Sequence, residues 1–275
     1  MRNEFLPSSP PRVREKEIAA VMGNLRSDWI TTDPKVERFK MVADVELEFG
    51  DARLSGANAR MRKDIPKPPN IARTARDASR RAFDVVCAVT GLAVLAPLLV
   101  IVAAAIKLED GGPVLFSQPR VGKGLTKFRL LKFRSMVPNA AGSSLLTAPH
   151  DPRITRVGRF LRKYKLDELP QLANVVKGEM QLVGVRPQVE CFVEIFPAEY
   201  ELLLQDRPGI TDLATLAFRH EEQMFQAGPL EKQYVSQMLP RKLKLSLQYR
   251  RTRTFFSDLG ILFRTVLGFK SPAAN

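Results

Sequence analysis

The sequence predicts an α-rich α+β fold with a membrane-inserted re-entrant helix hairpin, a small β-hairpin, a compact helical domain and interfacial amphipathic helices. Three observations carry that expectation. Residues 85–106 contain no charged side chain. Two short runs with apolar residues and partly alternating charge flank the turn Gly122-Lys123-Gly124, the pattern of strand, turn and strand. Beyond them, apolar residues recur at helical spacing among many arginines and lysines, as on amphipathic helices.

Composition narrows the partners. A chain of 275 residues, 45% of them hydrophobic, can build one large domain or two small ones. The formal charge of +14 and pI of about 10.1 call for an anionic partner: nucleic acid, anionic lipid or a phosphorylated substrate. Cys87 and Cys191 lack metal-ligand spacing and read as reduced thiols of a cytoplasmic protein. His150 and His220 are the only histidines, and neither has a zinc-type neighbour. The opening residues 1–14 are polar and Pro-rich, unlike a signal peptide.

Residues 1–78 read as a variable, poorly ordered, basic extension, broken by Ser8-Ser9-Pro10-Pro11 and Pro66-Lys67-Pro68-Pro69. The domain proper is expected over 79–275, with a membrane helix over 82–106. At ~1.5 Å per residue the apolar run is about 33 Å long, enough to cross bilayer hydrocarbon. A spanning helix, a buried core helix and a re-entrant hairpin compete. Its length and lack of a polar face weigh against the core helix. Basic residues flank both ends, and the positive-inside bias keeps both on the cytoplasmic side. Pro97, near the middle, allows a sharp bend. The reading favoured is therefore a helix that enters and leaves one leaflet, with Asp84 at its start pairing with Arg80 or Arg81.

After Gly111-Gly112-Pro113, strands are expected at 114–116 and 127–133, then a loop over 138–152. Residues 154–164 read as an amphipathic helix with Ile154, Val157, Phe160, Leu161 and Tyr164 on one face. Pro170 suits the first turn of another helix, reaching to about residue 176, which would set Asp167 and Glu168 at a helix N-terminus. In the tail, Tyr249, Phe255, Phe256, Leu259, Leu262, Phe263 and Leu267 alternate with arginines, the pattern of a helix lying in the membrane interface.

The adjacent carboxylates of Asp167 and Glu168 end a strongly basic segment. One carboxylate could attack while the other holds a metal or a proton, with Arg and Lys receiving a phosphorylated substrate. Taken alone, the pair reads more readily as helix-end charges facing Arg162 or Lys163. The surrounding blocks change that balance. They are Arg80-Arg81-Ala82-Phe83-Asp84, Gly112-Pro113-Val114-Leu115-Phe116-Ser117-Gln118, Arg120-Val121-Gly122 and Lys132-Phe133-Arg134-Ser135-Met136. They continue with Asp151-Pro152-Arg153, Leu166-Asp167-Glu168-Leu169-Pro170-Gln171, Leu182-Val183-Gly184-Val185-Arg186-Pro187 and Arg207-Pro208-Gly209-Ile210-Thr211. In this order they resemble the bacterial sugar transferases, the monotopic phosphoglycosyl transferases that start glycan assembly on a polyprenol phosphate.

The resemblance implies an enzyme of the bacterial inner membrane, with its catalytic domain on the cytoplasmic face. It would move a sugar 1-phosphate from a UDP-sugar to undecaprenyl phosphate and release UMP. Asp167 matches the family's nucleophile, and Glu168 its neighbour at a Mg²⁺ site. Lys132, Arg134, Arg153, Arg186 and Arg207 match basic positions that suit phosphate contact; Asp84 and Pro97 match the membrane hairpin. Exopolysaccharide, capsule, O-antigen or glycoprotein glycan synthesis would follow, with anionic lipid and a second copy of the chain as further partners. The chain departs from many relatives at Gln188, Asp212 and Ala96. A membrane-tethered basic scaffold or nucleic-acid-binding protein is the rival class. No helix-turn-helix pattern, zinc site or aromatic-rich strand supports nucleic-acid binding, and none is expected.

Overall fold

The computed structural model describes residues 70–137, 146–148, 151–219, 221–225, 228 and 230–268. Most of the expected extension, and both histidines, lie outside these residues. Its first element is α1 (Asn70–Asp110), which runs as one helix through Pro97. The expected hairpin of two arms is thus met by a single continuous element, longer at both ends than 82–106. Phe83, Cys87, Ala88, Leu98, Val102 and Ile106 form a stripe of α1 packed on the rest of the domain, at the spacing of one helix face. The other side exposes Val86, Val94, Val100 and Ile101. Such an unpartnered apolar face is costly in water and natural in lipid.

Both ends of α1 are tied down. At its start the Phe83 and Phe255 rings meet edge-on, with centroids 5.2 Å apart. The Asp84 carboxylate accepts a hydrogen bond from the backbone of Leu182. Arg80 faces Asp258 at 3.8 Å, and Arg81 donates to the Val176 carbonyl at 3.1 Å. At its end, Glu109 Oε1 accepts from the Arg156 and Val157 amides at 2.7 and 3.2 Å, filling donors that a helix start leaves open.

The β-hairpin forms as expected. β1 (Leu115–Val121) pairs antiparallel with β2 (Lys127–Phe133) around a 3₁₀ turn at Lys123–Leu125, and β1 is longer than foreseen. Along β2, Leu130 and Phe133 are buried in two different core clusters, because alternate residues face opposite sides. Lys132 alternates with Phe128 and Leu130 on one of those sides.

α2 (Arg156–Tyr164) starts two residues later than the sequence suggests, because Thr155 caps it by accepting from the Gly158 amide at 2.9 Å. Ile154 instead bridges to Met136. Val157 and Leu161 pack inward, whereas Phe160 and Tyr164 are exposed and meet at a tilt, with ring centroids 4.8 Å apart. Those two were expected to share the face of Val157 and Leu161; among the described residues it is Val157 and Leu161 that meet α1 and Phe133 of β2. A Cβ added at Gly158 would sit 2.1 Å from the Ser135 carbonyl oxygen, so glycine lets the helix lie against that backbone.

A 3₁₀ turn at Leu166–Glu168 leads into α3 (Gln171–Lys177), which ends at Gly178 in the left-handed conformation. Asp167 and Glu168 therefore sit in a 3₁₀ turn of their own, just before the N-terminus of α3. β3 (Gln181–Val183) pairs in parallel with β4 (Gly209–Thr211), a contact the sequence did not disclose. Between them lie α4 (Glu190–Ile195) and α5 (Pro197–Leu203). α6 (Leu213–Ala217), a 3₁₀ turn at Glu221–Met224, α7 (Leu230–Gln233) and a π-turn at Tyr234–Met238 follow.

The tail is two helices, not one. α8 (Leu239–Thr252) carries Tyr249 into the core, where its hydroxyl donates to Asp258 Oδ1 at 2.5 Å. α9 (Phe255–Leu267) restarts at a Thr254–Ser257 capping box and exposes Phe256, Leu259, Phe263 and Val266.

Candidate active site

The site forms where the turn after α2 meets β2 and the segment after β3. Lys165, at the end of α2, adopts a left-handed conformation (φ 58°). That reverses the chain and presents Asp167 and Glu168 in succession. Asn174 then fixes their position relative to β2. Fully buried on α3, its Nδ2 donates to the Arg129 carbonyl at 2.8 Å, and its Oδ1 accepts from the Leu131 amide at 3.0 Å. These are backbone groups of the β2 edge that β1 does not pair. The clamp sets Lys132, the next residue on β2, beside Glu168.

Glu168 is the charge hub. Arg186 holds it bidentately, with Nη1 donating to Oε2 at 3.0 Å and Nη2 to Oε1. Lys132 Nζ lies 3.6 Å from Oε1. Burial works to raise the Glu168 carboxyl, but Arg186 and Lys132 overcome it and hold the group well below the usual carboxylate range. Reciprocally, Glu168 raises Arg186 against burial. Burial pushes Lys132 down to about 8, with Glu168 opposing.

Asp167 is the opposite case. It is buried, and its Oδ1 has no hydrogen-bond partner. Burial first, and the neighbouring Glu168 charge second, push its carboxyl up. A buried carboxylate oxygen without a partner is an expensive feature, and it fits an atom kept open for chemistry. The same oxygen bears on a metal. Mg²⁺ is commonly held by one or two carboxylates, with substrate phosphates and water completing the shell. Asp167 and Glu168 fit that donor set; among the described residues no group of three or more His, Cys, Asp or Glu offers a larger one.

Of the basic residues expected here, Lys132 and Arg186 meet the carboxylates. The others have partners elsewhere. Arg134 pairs with Asp110. Arg153 grips Asp151, with Nε to Oδ1 at 2.8 Å, and donates to the Leu146 carbonyl at 3.0 Å. Arg207 donates to the Gly178 carbonyl at 2.7 Å, bracing the end of α3. One cation was overlooked. Arg120 is desolvated down to about 10, and both Arg186 and Glu168 act on it electrostatically. It donates to Gln118 at 2.8 Å and reaches Gln188, whose Nε2 donates to the Tyr234 hydroxyl at 2.8 Å. Its block, Arg120-Val121-Gly122, was visible in the sequence; its proximity to Glu168 depends on the pairing of Val121 with Gln188.

Two of the departures from the usual family pattern acquire structural roles. Gln188 makes the link just described. Asp212 caps α6, accepting from the Thr215 amide and hydroxyl at 2.7 Å each, and from the Ser246 hydroxyl at 2.7 Å.

Paired carboxylates, one neutralised and one open, lie among cations beside a long apolar helix, an arrangement whose charges suit a phosphorylated substrate. The sequence profile of the bacterial sugar transferases matches residues 75–271, and the chain belongs to that family. It is 38% identical over 200 residues to a UDP-glucose:undecaprenyl-phosphate glucose-1-phosphate transferase of Caulobacter vibrioides, covering 71% of each chain. It is 33% identical over 218 residues to the exopolysaccharide production protein ExoY of Sinorhizobium fredii, covering 74% of this chain and 90% of that one. A UDP-N-acetylgalactosamine-undecaprenyl-phosphate N-acetylgalactosaminephosphotransferase of Aeromonas hydrophila is 44% identical over 139 residues, covering 49% of this chain and 33% of that one.

Proposed function

We propose that the protein transfers a sugar 1-phosphate from a UDP-sugar to undecaprenyl phosphate, as a first membrane step of polysaccharide synthesis. The activities named for its relatives support the reaction class. The observation that carries the mechanism is the partnerless, buried Oδ1 of Asp167 beside a Glu168 already held by Arg186 and Lys132.

In the first step an Asp167 carboxylate oxygen attacks the β-phosphorus of the UDP-sugar. The bond from that phosphorus to the bridging oxygen breaks, and UMP leaves with the electron pair. In the second step a phosphate oxygen of the polyprenyl phosphate attacks the same phosphorus, and the Asp167 carboxylate is released. Lys132, Arg186 and Arg120 offset the repulsion between an anionic nucleophile and an anionic diphosphate. Burial of Asp167 keeps water from its oxygen and strips the hydration that would blunt it. Mg²⁺, held by Asp167 and Glu168, would supply further neutralisation of phosphate charge.

A covalent intermediate suits a single pocket that must serve a soluble donor and then a lipid acceptor. The docking of α1 supports the membrane placement proposed here, on one leaflet of the cytoplasmic face. Its two ends dock on one domain that carries the charged site, so a perpendicular crossing would drag polar surface into hydrocarbon. Return to the cytoplasmic face, with α9 in the interface, avoids this. The relatives' names include glucose and N-acetylgalactosamine donors, so the donor is found by trial. Purified protein in nanodiscs, given Mg²⁺, undecaprenyl phosphate and a panel of UDP-sugars, is expected to release UMP with one of them, and Asp167→Asn to release none. Release by the variant at the unsubstituted rate would overturn the assignment.

A further inference from the structure

A cavity of about 470 Å³ adjoins the site, and its walls are of two kinds. Lys165, Arg186, Arg219 and Lys242 line it, outnumbering its three carboxylates. Leu95, Leu169, Leu172, Ile210 and Val266 form an apolar strip in the same space. Two of these belong to membrane-facing elements: Leu95 to α1 and Val266 to α9. Val266 lines the cavity yet is 83% exposed, so the cavity reaches the surface on the apolar side of α9. The two helices meet at Phe83 and Phe255. Leu95 lies ~18 Å along α1 from that contact and Val266 ~17 Å along α9. The opening therefore lies beyond the point where the helices are pinned together.

We propose that this cavity binds the acceptor, taking the first isoprene units of a polyprenyl phosphate between Leu95 of α1 and Val266 of α9, with the phosphate directed to Arg186. The inference rests on the phosphotransfer reading and adds the site through which the lipid arrives. Charge and continuity select this occupant. A bilayer acyl chain would match the leucines but has no anion to place among the cations. A free nucleotide would match the cations but has nothing for an apolar strip that opens beside exposed Phe263 and Val266. An isoprenoid phosphate has both parts in the right order. Arg186 and Glu168 border the cavity as well as the Asp167 turn, so a phosphate bound there lies next to the group it must displace.

The test uses the full chain in phosphatidylglycerol nanodiscs with a diazirine-bearing farnesyl phosphate. Photo-adducts are expected on Leu95, Leu169, Leu172 or Val266, displaced by unlabelled undecaprenyl phosphate. Adducts confined to the outward-facing Val94, Val100 and Ile101, or displaced equally by a diacyl phosphatidic acid, would overturn the proposal. This readout needs no turnover, so it decides the cavity even if the phosphotransfer reading fails. A kinetic arm separates the two ideas. Leu95→Trp and Val266→Trp should raise the KM for undecaprenyl phosphate about tenfold. Acceptor-free exchange of labelled UMP into the UDP-sugar should show no matching loss, and Val100→Trp should change neither. Equal loss of exchange and transfer, or no rise in KM, would contradict it; absence of exchange in the unsubstituted protein would instead count against the covalent mechanism.

Discussion

In the proposed mechanism Lys132 and Asp167 set the pH behaviour. Asp167 must be ionised to attack, and burial beside Glu168 raises its carboxyl, so the acid limb of kcat/KM should lie above the ordinary carboxylate range. Lys132 works as a cation, and burial lowers it to about 8. Its charge is present below that value and is lost as pH rises through it, so the alkaline limb should fall near pH 8. Lys132→Arg keeps its charge to much higher pH and should move that limb upward in a steady-state pH profile. A limb that stays in place would remove Lys132 from the donor site. Glu168→Gln should lower kcat by about 10²–10³-fold, the usual scale for losing a preorganised electrostatic partner. Because the Glu168 charge raises Asp167, the same variant should also move the acid limb downward. A rate drop with no movement of that limb would leave Glu168 a positioning role only.

At the scale of elements, the turn carrying the carboxylates depends on two contacts that do no chemistry. Asn174 satisfies two backbone groups at the β2 edge and donates to Glu179 at 2.6 Å. Asn174→Ala would remove the partner of those two part-buried groups, a loss of about 1–3 kcal/mol. Denaturant unfolding should show it, and the KM for the UDP-sugar should rise as Lys132 loses its register. An unchanged KM with lowered stability would mean that β2 holds its place through packing alone. Gly158→Ala should likewise destabilise, since its new Cβ would fall on the Ser135 backbone. The hairpin and the helices α2 and α3 were legible, because Gly-rich turns, a helix-starting proline and apolar spacing act locally; the Thr155 cap that sets the start of α2 was not read. Asn174 was not: a neutral residue in a helical stretch gives no local sign that its side chain is pledged to a strand 45 residues earlier. Strands of three residues, as in β3 and β4, are too short to show alternation. The break between α8 and α9 falls at Arg253 and Thr254, without the Gly or Pro that usually marks one.

For the whole molecule, the sequence disclosed the long apolar segment but not which side of it faces protein. Both sides are apolar, so periodicity has no polar face to detect; only the fold distinguishes the stripe from Phe83 to Ile106 from the exposed side at Val94 and Val100. The carboxylate pair, Lys132 and Arg186 could be named in advance from their blocks. Arg120 could not be assigned to the site, because its approach to Glu168 needs the chain to fold back through residue 188. The docking of both ends of α1 makes a topological prediction. With Cys87 and Cys191 replaced, single cysteines at Asp77 and Leu115, both exposed, should react with an impermeant maleimide from the same side of sealed vesicles. Labelling from opposite sides would make α1 a spanning helix.

The central claim is that Asp167 carries the phosphosugar between donor and acceptor. Its most direct test is the intact mass of the protein, incubated with its UDP-sugar and Mg²⁺ but no polyprenyl phosphate, followed by peptide mapping. One added sugar phosphate is expected on Asp167, formed with one equivalent of UMP, discharged by undecaprenyl phosphate and absent from Asp167→Asn. UMP release only when the acceptor is present, with no adduct at any time, would mean direct transfer and would contradict it.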